Sequence, residues 1–95
     1  MIGIIATLRI AEGKTAEFEA AFAKANEIVR ANEPGCLLYQ LTRSRTQPNV
    51  YKVMELYKDE DAFAFHRDGE HRKAAPSITS MFDGRPEIEF LDAVG

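Results

Sequence analysis

The chain has 95 residues, a hydrophobic fraction of 45% and a formal net charge of −3. That length fits one domain over residues 1–95, and the composition belongs to a folded rather than a disordered chain. No run holds about five or more basic residues, which speaks against nucleic acid, and no apolar stretch approaches the roughly 20 residues of a membrane span.

Cys36 is the single cysteine, so no internal disulfide can form and a reducing cytoplasm is the expected setting. The opening "MIGIIATLRI" is apolar but short, is interrupted by Arg9, and lacks the positive leader and cleavage site of a signal peptide. Within it Ile2, Ile4, Ala6, Leu8 and Ile10 alternate with Gly3, Ile5, Thr7 and Arg9, which predicts a strand. "EGK" breaks it. From Thr15 to about Asn32, Phe18, Ala21, Phe22, Ala25, Ile28 and Val29 recur at helical spacing, with Thr15 as the expected N-cap and "EPG" as the stop. "CLLYQLTR" at 36–43 and "VYKVMELY" at 50–57 read as a hairpin of two strands joined by a polar turn. Asp59 is placed to cap a second helix, "EDAFAFHR", and Gly69 to end it in a left-handed conformation. A further helix is expected from about Glu70 to Met81, bent at Pro76, before a last strand "EIEFLD" at 87–92.

The order β-α-β-β-α-β is the ferredoxin-like arrangement of the α+β class: one four-stranded antiparallel sheet with helices on one face. Ile2, Ile4 and Leu8, with the neighbouring strands, imply an apolar outer face, which a monomer rarely leaves in water. A chain this short buries only about 60–65% of its unfolded surface, so a deep private pocket is hard to build from one copy. Both points lead to a symmetric homodimer.

The candidate chemistry gathers at "FHRDGEHRKA", residues 65–74, which holds both histidines. His66 stands in the last turn of a helix with Ala62 and Phe63 one turn before it, apolar neighbours that favour a neutral imidazole able to act as a base. The bland alternative is a helix-end histidine that only complements the dipole, and on either reading removing His66 is expected to leave stability nearly unchanged. His71 would point about 140° away in an unbroken helix, so it reaches the same site only through a break at Gly69. Glu55 lies on a largely buried strand between Val53 and Tyr57. It either pairs with an arginine, or orients a histidine or anchors a substrate hydroxyl. Tyr39 and Arg43 share a face of the second strand. Arg43, Arg45, Arg67, Arg72 and Lys73 could hold an anion or simply be solvated. Two histidines and a glutamate are too few for a zinc or iron site, and Cys36 reads as a small core residue.

"MELYKDEDAFAFHRDGEHRKA" at 54–74 resembles the antibiotic biosynthesis monooxygenase family of dimeric α+β barrels. The matching features are Glu55-Leu56-Tyr57 at a strand end, the acidic turn "KDEDA", and His66 with His71 on the following helix; "EPGCLLYQL" at 33–41 also resembles the family. The resemblance implies a dimer that needs no cofactor and acts on a small molecule. It implies either a monooxygenase of small enolisable or quinol-type compounds or an isomerase of a small hydroxy-dicarbonyl of the autoinducer-2 type, with or without a phosphate. A non-catalytic ligand-binding protein is the rival outside enzymology. The heme-degrading branch fits poorly, because Ala6, Thr7, Ala75 and Pro76 stand where that branch carries its Asn and its axial His. On the enzymatic reading His66 and Glu55 are the catalytic pair. Tyr57, Phe63, Tyr39, His71 and Arg43 are the substrate-binding residues, with Tyr57 in the place where many members carry Trp.

Overall fold

Strand β1 (Ile2–Arg9) alternates as its sequence demands, and the even-numbered side chains Ile4, Ala6 and Leu8 are at most 5% exposed. A computed structural model of the protein describes residues 1–95, which fold as β1, α1 (Thr15–Asn32), β2 (Cys36–Arg43), β3 (Val50–Tyr57), α2 (Glu60–Asp68) and β4 (Glu87–Asp92). Every strand pairing is antiparallel, in the order β2-β3-β1-β4, so the architecture is the ferredoxin-like α+β sheet with helices on one face. No helix is long and apolar enough to cross a membrane.

Helix α1 lays Phe18, Ala21, Phe22, Ala25 and Val29 on the sheet, and Phe18 packs 4.9 Å, centroid to centroid, from Tyr51. Each fully buried aromatic of this kind stabilises the fold by about 1.5–3 kcal/mol. Thr15 is the first helical residue rather than the cap; Lys14 precedes it and makes no capping bond. Asp59 does cap α2, accepting from the Ala62 amide at 2.8 Å.

Three further expectations change on the structure. Residues 70–81 form no continuous helix but two short 3₁₀ turns, Glu70–Ala74 and Thr79–Met81. Pro76 forces the residue before it out of the helical region, and Ala75 is extended at φ −76°, ψ 143°. Gly69 is likewise extended, at φ −65°, ψ 143°, not left-handed. Glycine is required there by closeness, since a Cβ would collide with the His71 ring and the Phe65 carbonyl. Finally, Ile4 and Leu8 face the helices, not the outside. The outer face carries the odd-numbered set of β1 and its partners, with the row Leu38–Leu56–Gly3–Leu91 running across all four strands.

Candidate active site

On the helix side, one row of the sheet runs Tyr39–Glu55–Ile4–Phe90. Helices cover the β2–β3 half of this row, while Phe90 at the β4 edge stays 59% exposed. The result is a cleft of about 390 Å³ over Ile4, Glu55, Ile88 and Phe90, walled by Phe63, His66 and Arg67 of α2 and by Arg72 from the turn beyond it. Phe63 meets Phe90 edge-on at 5.6 Å across it.

His66 reaches this cleft because Gly35 lets α2 approach the chain entering β2. A Cβ on Gly35 would stand 2.6 Å from that of Ala62, one helical turn before His66. The same approach brings His66 onto Glu33, which is 3% exposed and lies in the "EPG" turn after α1. His66 Nδ1 lies 2.9 and 3.1 Å from the two carboxylate oxygens of Glu33, and His71 Nε2 lies 2.5 Å from Oε2. The other side of the His66 ring, Nε2, is 3.9 Å from Glu55 Oε1, too far for a hydrogen bond. Tyr39 and Tyr57 flank the ring, with centroids at 5.1 and 5.2 Å.

The groups facing His66 are therefore Glu33, His71, Glu55, Arg72 and the two tyrosines. Burial pulls the His66 pKa below its ordinary value, the Arg72 charge adds to this, and Glu33 opposes both. Burial raises Glu55, against a 2.6 Å hydrogen bond from Tyr57 Oη and the nearby Arg72. Tyr57 itself is held far above the ordinary phenol range by burial and by Glu55. At neutral pH this leaves an uncharged imidazole in the wall of an apolar cleft, beside a carboxyl and a guanidinium.

Of the expected residues, the structure brings His66, Glu55 and Phe63 to the cleft. Tyr57 is fully buried behind it as the hydrogen-bond donor to Glu55. Tyr39 flanks His66 between that ring and Phe22. His71 turns inward onto Glu33 and lines no part of the cleft. Arg43 lies at the far end of the helix-side face, 3.4 Å from Glu19 and over the Tyr51 ring. Cys36 is not a core residue. It is partly exposed, and burial together with Glu33 and Glu55 pushes its thiol up to about 11. Two residues of the site escaped individual notice in the sequence. Glu33 reads there as part of a helix stop, and Arg72 as one of five scattered cations. The Arg72 Nη1 is buried without a partner.

The sheet order and the imidazole-lined cleft define a small ferredoxin-like α+β domain with an open cleft on its helix side. The chain belongs to the antibiotic biosynthesis monooxygenase family, whose profile matches residues 1–76. A Caulobacter crescentus protein assigned to that family is 49% identical, with a TM-score of 0.93 over 99% of this chain and 90% of its own. A Bordetella bronchiseptica protein assigned likewise is 26% identical, with a TM-score of 0.76 over 98% of this chain and 96% of its own. A mutant of SnoaB, a cofactor-independent oxygenase from Streptomyces nogalater, shares the fold at 23% identity, with a TM-score of 0.77 over 97% of this chain and 91% of its own. No curated protein matches the chain in sequence.

Proposed function

We propose that the protein is a cofactor-independent monooxygenase that removes a proton from a small enolisable or quinol-type molecule, with His66 as the base. The observation that carries this is the uncharged, buried imidazole of His66 in the wall of the cleft. The substrate's C–H or O–H bond breaks, the proton goes to Nε2, and the electron pair stays on the substrate as an enolate or phenolate. Arg72, with its unpartnered Nη1, is the donor that meets the new oxyanion. At an activated CH₂ carbon, dioxygen as co-substrate then adds, and the proton held on Nε2 passes to the peroxide, giving a hydroperoxide and freeing the imidazole. Loss of water from the hydroperoxide leaves a carbonyl, with one oxygen atom in the product and one in water. The description of SnoaB as a cofactor-independent oxygenase supports the oxygen step for this fold. We take the working unit to be a cytoplasmic homodimer.

One observation favours the isomerase reading. Glu55, its carboxyl raised by burial, stands 3.9 Å from His66 Nε2 and offers a second proton carrier to return the proton at a neighbouring carbon. Oxygen uptake with a panel of hydroquinones, run beside solvent-proton exchange into small dicarbonyls, separates the two. Uptake that disappears in His66→Ala supports the oxygenase, and exchange without uptake supports the isomerase. Saturable binding with neither activity leaves a ligand-holding module.

A further inference from the structure

We propose that Glu33 is a positioning residue that fixes the tautomers of both histidines, so that His66 offers its Nε2 lone pair to the cleft. This rests on the reading of His66 as the base. An ionised carboxylate only accepts hydrogen bonds, so each ring facing Glu33 must carry its proton on the facing nitrogen. That nitrogen is Nδ1 in His66 and Nε2 in His71. The remaining nitrogen of His71 is consistent with this. His71 Nδ1 is buried with no partner. A bare lone pair is tolerable there, whereas an imidazolium would bury an N–H donor with no acceptor. His71 is thus a neutral Nε2–H ring. It is held in place by the Phe65 ring at 4.8 Å and by the close approach of Gly69.

The arrangement has a chemical purpose that packing alone would not need. A buried carboxylate is costly, and two N–H donors offset that cost. Without His71, the Glu33 carboxylate would be held from one side only and could turn away from the His66 ring. With Glu33 anchored from its other side by His71, the Nδ1–H is captured and Nε2 is left bare. When Nε2 takes the substrate proton, Nδ1–H stays on Glu33 and the imidazolium forms against an existing carboxylate. In this scheme His71 does not touch the substrate. It acts through Glu33.

The experiment is nitrogen-15 NMR of the two imidazoles in the natural protein without any ligand. It should find His66 protonated on Nδ1 and His71 on Nε2 at neutral pH. In Glu33→Gln one carboxylate oxygen becomes an NH₂ donor, so a single acceptor is left for the two rings and the hold on their tautomers loosens. His66 should then titrate lower than in the natural protein, because the carboxylate that raises it is gone. On any substrate turned over, Glu33→Gln should lower kcat with little change in KM, and Glu33→Asp should recover part of the loss. A natural-protein spectrum with the His66 proton on Nε2 would overturn the proposal, as would an unchanged His66 titration in Glu33→Gln. If Glu33→Gln does not fold, the natural-protein spectrum still decides. Full activity in His66→Ala would defeat the base assignment while leaving the tautomers as described, so the two failures are distinguishable.

Discussion

His66 is joined to a residue 33 positions away, and that single contact changes what its removal should do. As a helix-end histidine it would be nearly dispensable for stability. Bonded to a carboxylate that is 3% exposed, it is not, because His66→Ala leaves Glu33 buried with one donor fewer. We expect that variant to lose about 1–3 kcal/mol of stability by urea denaturation and about 10²–10⁴-fold in turnover. Turnover that survives intact would remove His66 from the chemistry. The pH dependence follows from the same surroundings. The free imidazole is the active form, so the acid limb of kcat/KM should have its midpoint below 6.5, the ordinary value from which burial lowers His66. Its effect on stability has the matching sign. Above 6.5 both folded and unfolded chains hold a neutral ring. Below it the unfolded chain takes the proton first, so stability falls as pH drops through that value toward the folded one. Glu55 works the other way. Its folded pKa lies above 4.5, so the folded chain protonates first there and this group's contribution becomes more favourable as pH falls. Comparing urea midpoints of the natural protein and His66→Ala between pH 7.5 and 5 isolates the histidine; parallel curves would contradict its lowered pKa. The imidazole's apolar neighbours Ala62 and Phe63 could be read from sequence because they are one turn away. Glu33 could not, since a glutamate before Pro-Gly is ordinarily a solvated loop residue and no periodicity links it to α2.

The elements themselves were largely legible. Alternation marks β1 to within its last residue, and helical spacing marks α1 from Thr15 to Asn32, because in both cases a buried face repeats with the geometry of the backbone. Two misread elements lie just after α2, where the chain makes short turns whose form depends on contacts rather than period. Gly69 illustrates this. A glycine after a helix suggests a left-handed residue, and on that reading asparagine would replace it well. The structure gives a steric reason instead, with Phe65 and the His71 ring occupying the space a Cβ would need. Gly69→Ala should therefore cost about 1–3 kcal/mol, as overpacking does, and Gly69→Asn should be no better tolerated than Ala. Thermal or urea unfolding of the two variants checks this; an asparagine variant as stable as the natural protein would restore the left-handed explanation. Either substitution should also displace His71 from Glu33, so an altered His71 resonance is expected alongside the lost stability.

At the scale of the molecule, the outer face of the sheet remains to be accounted for. Its three cross-strand rows differ in character. Leu38–Leu56–Gly3–Leu91 is wholly apolar, Gln40–Met54–Ile5–Glu89 is mixed, and Thr42–Lys52–Thr7–Glu87 is polar. Leu38, Met54 and Leu91 are each between 41% and 42% exposed in the single chain. A face graded in this way suits an isologous contact, in which a two-fold axis lays the apolar end of one sheet on that of its copy and leaves the polar rows toward water. Sequence pointed to the right kind of surface but assigned it to the wrong side of β1, because alternation distinguishes two faces without saying which one the helices cover. Helix α1 settles that question by burying the even-numbered residues. The expectation is a homodimer of the 10.6 kDa chain at micromolar concentration, measured by light scattering. Met54→Glu should drive it toward monomer, because symmetry puts two new carboxylates into one apolar contact, where unpaired charge is costly. Lys52→Glu, in the polar row, should leave the mass unchanged. A monomeric natural protein, or a Met54→Glu variant that keeps the doubled mass, would show that this face serves some other contact.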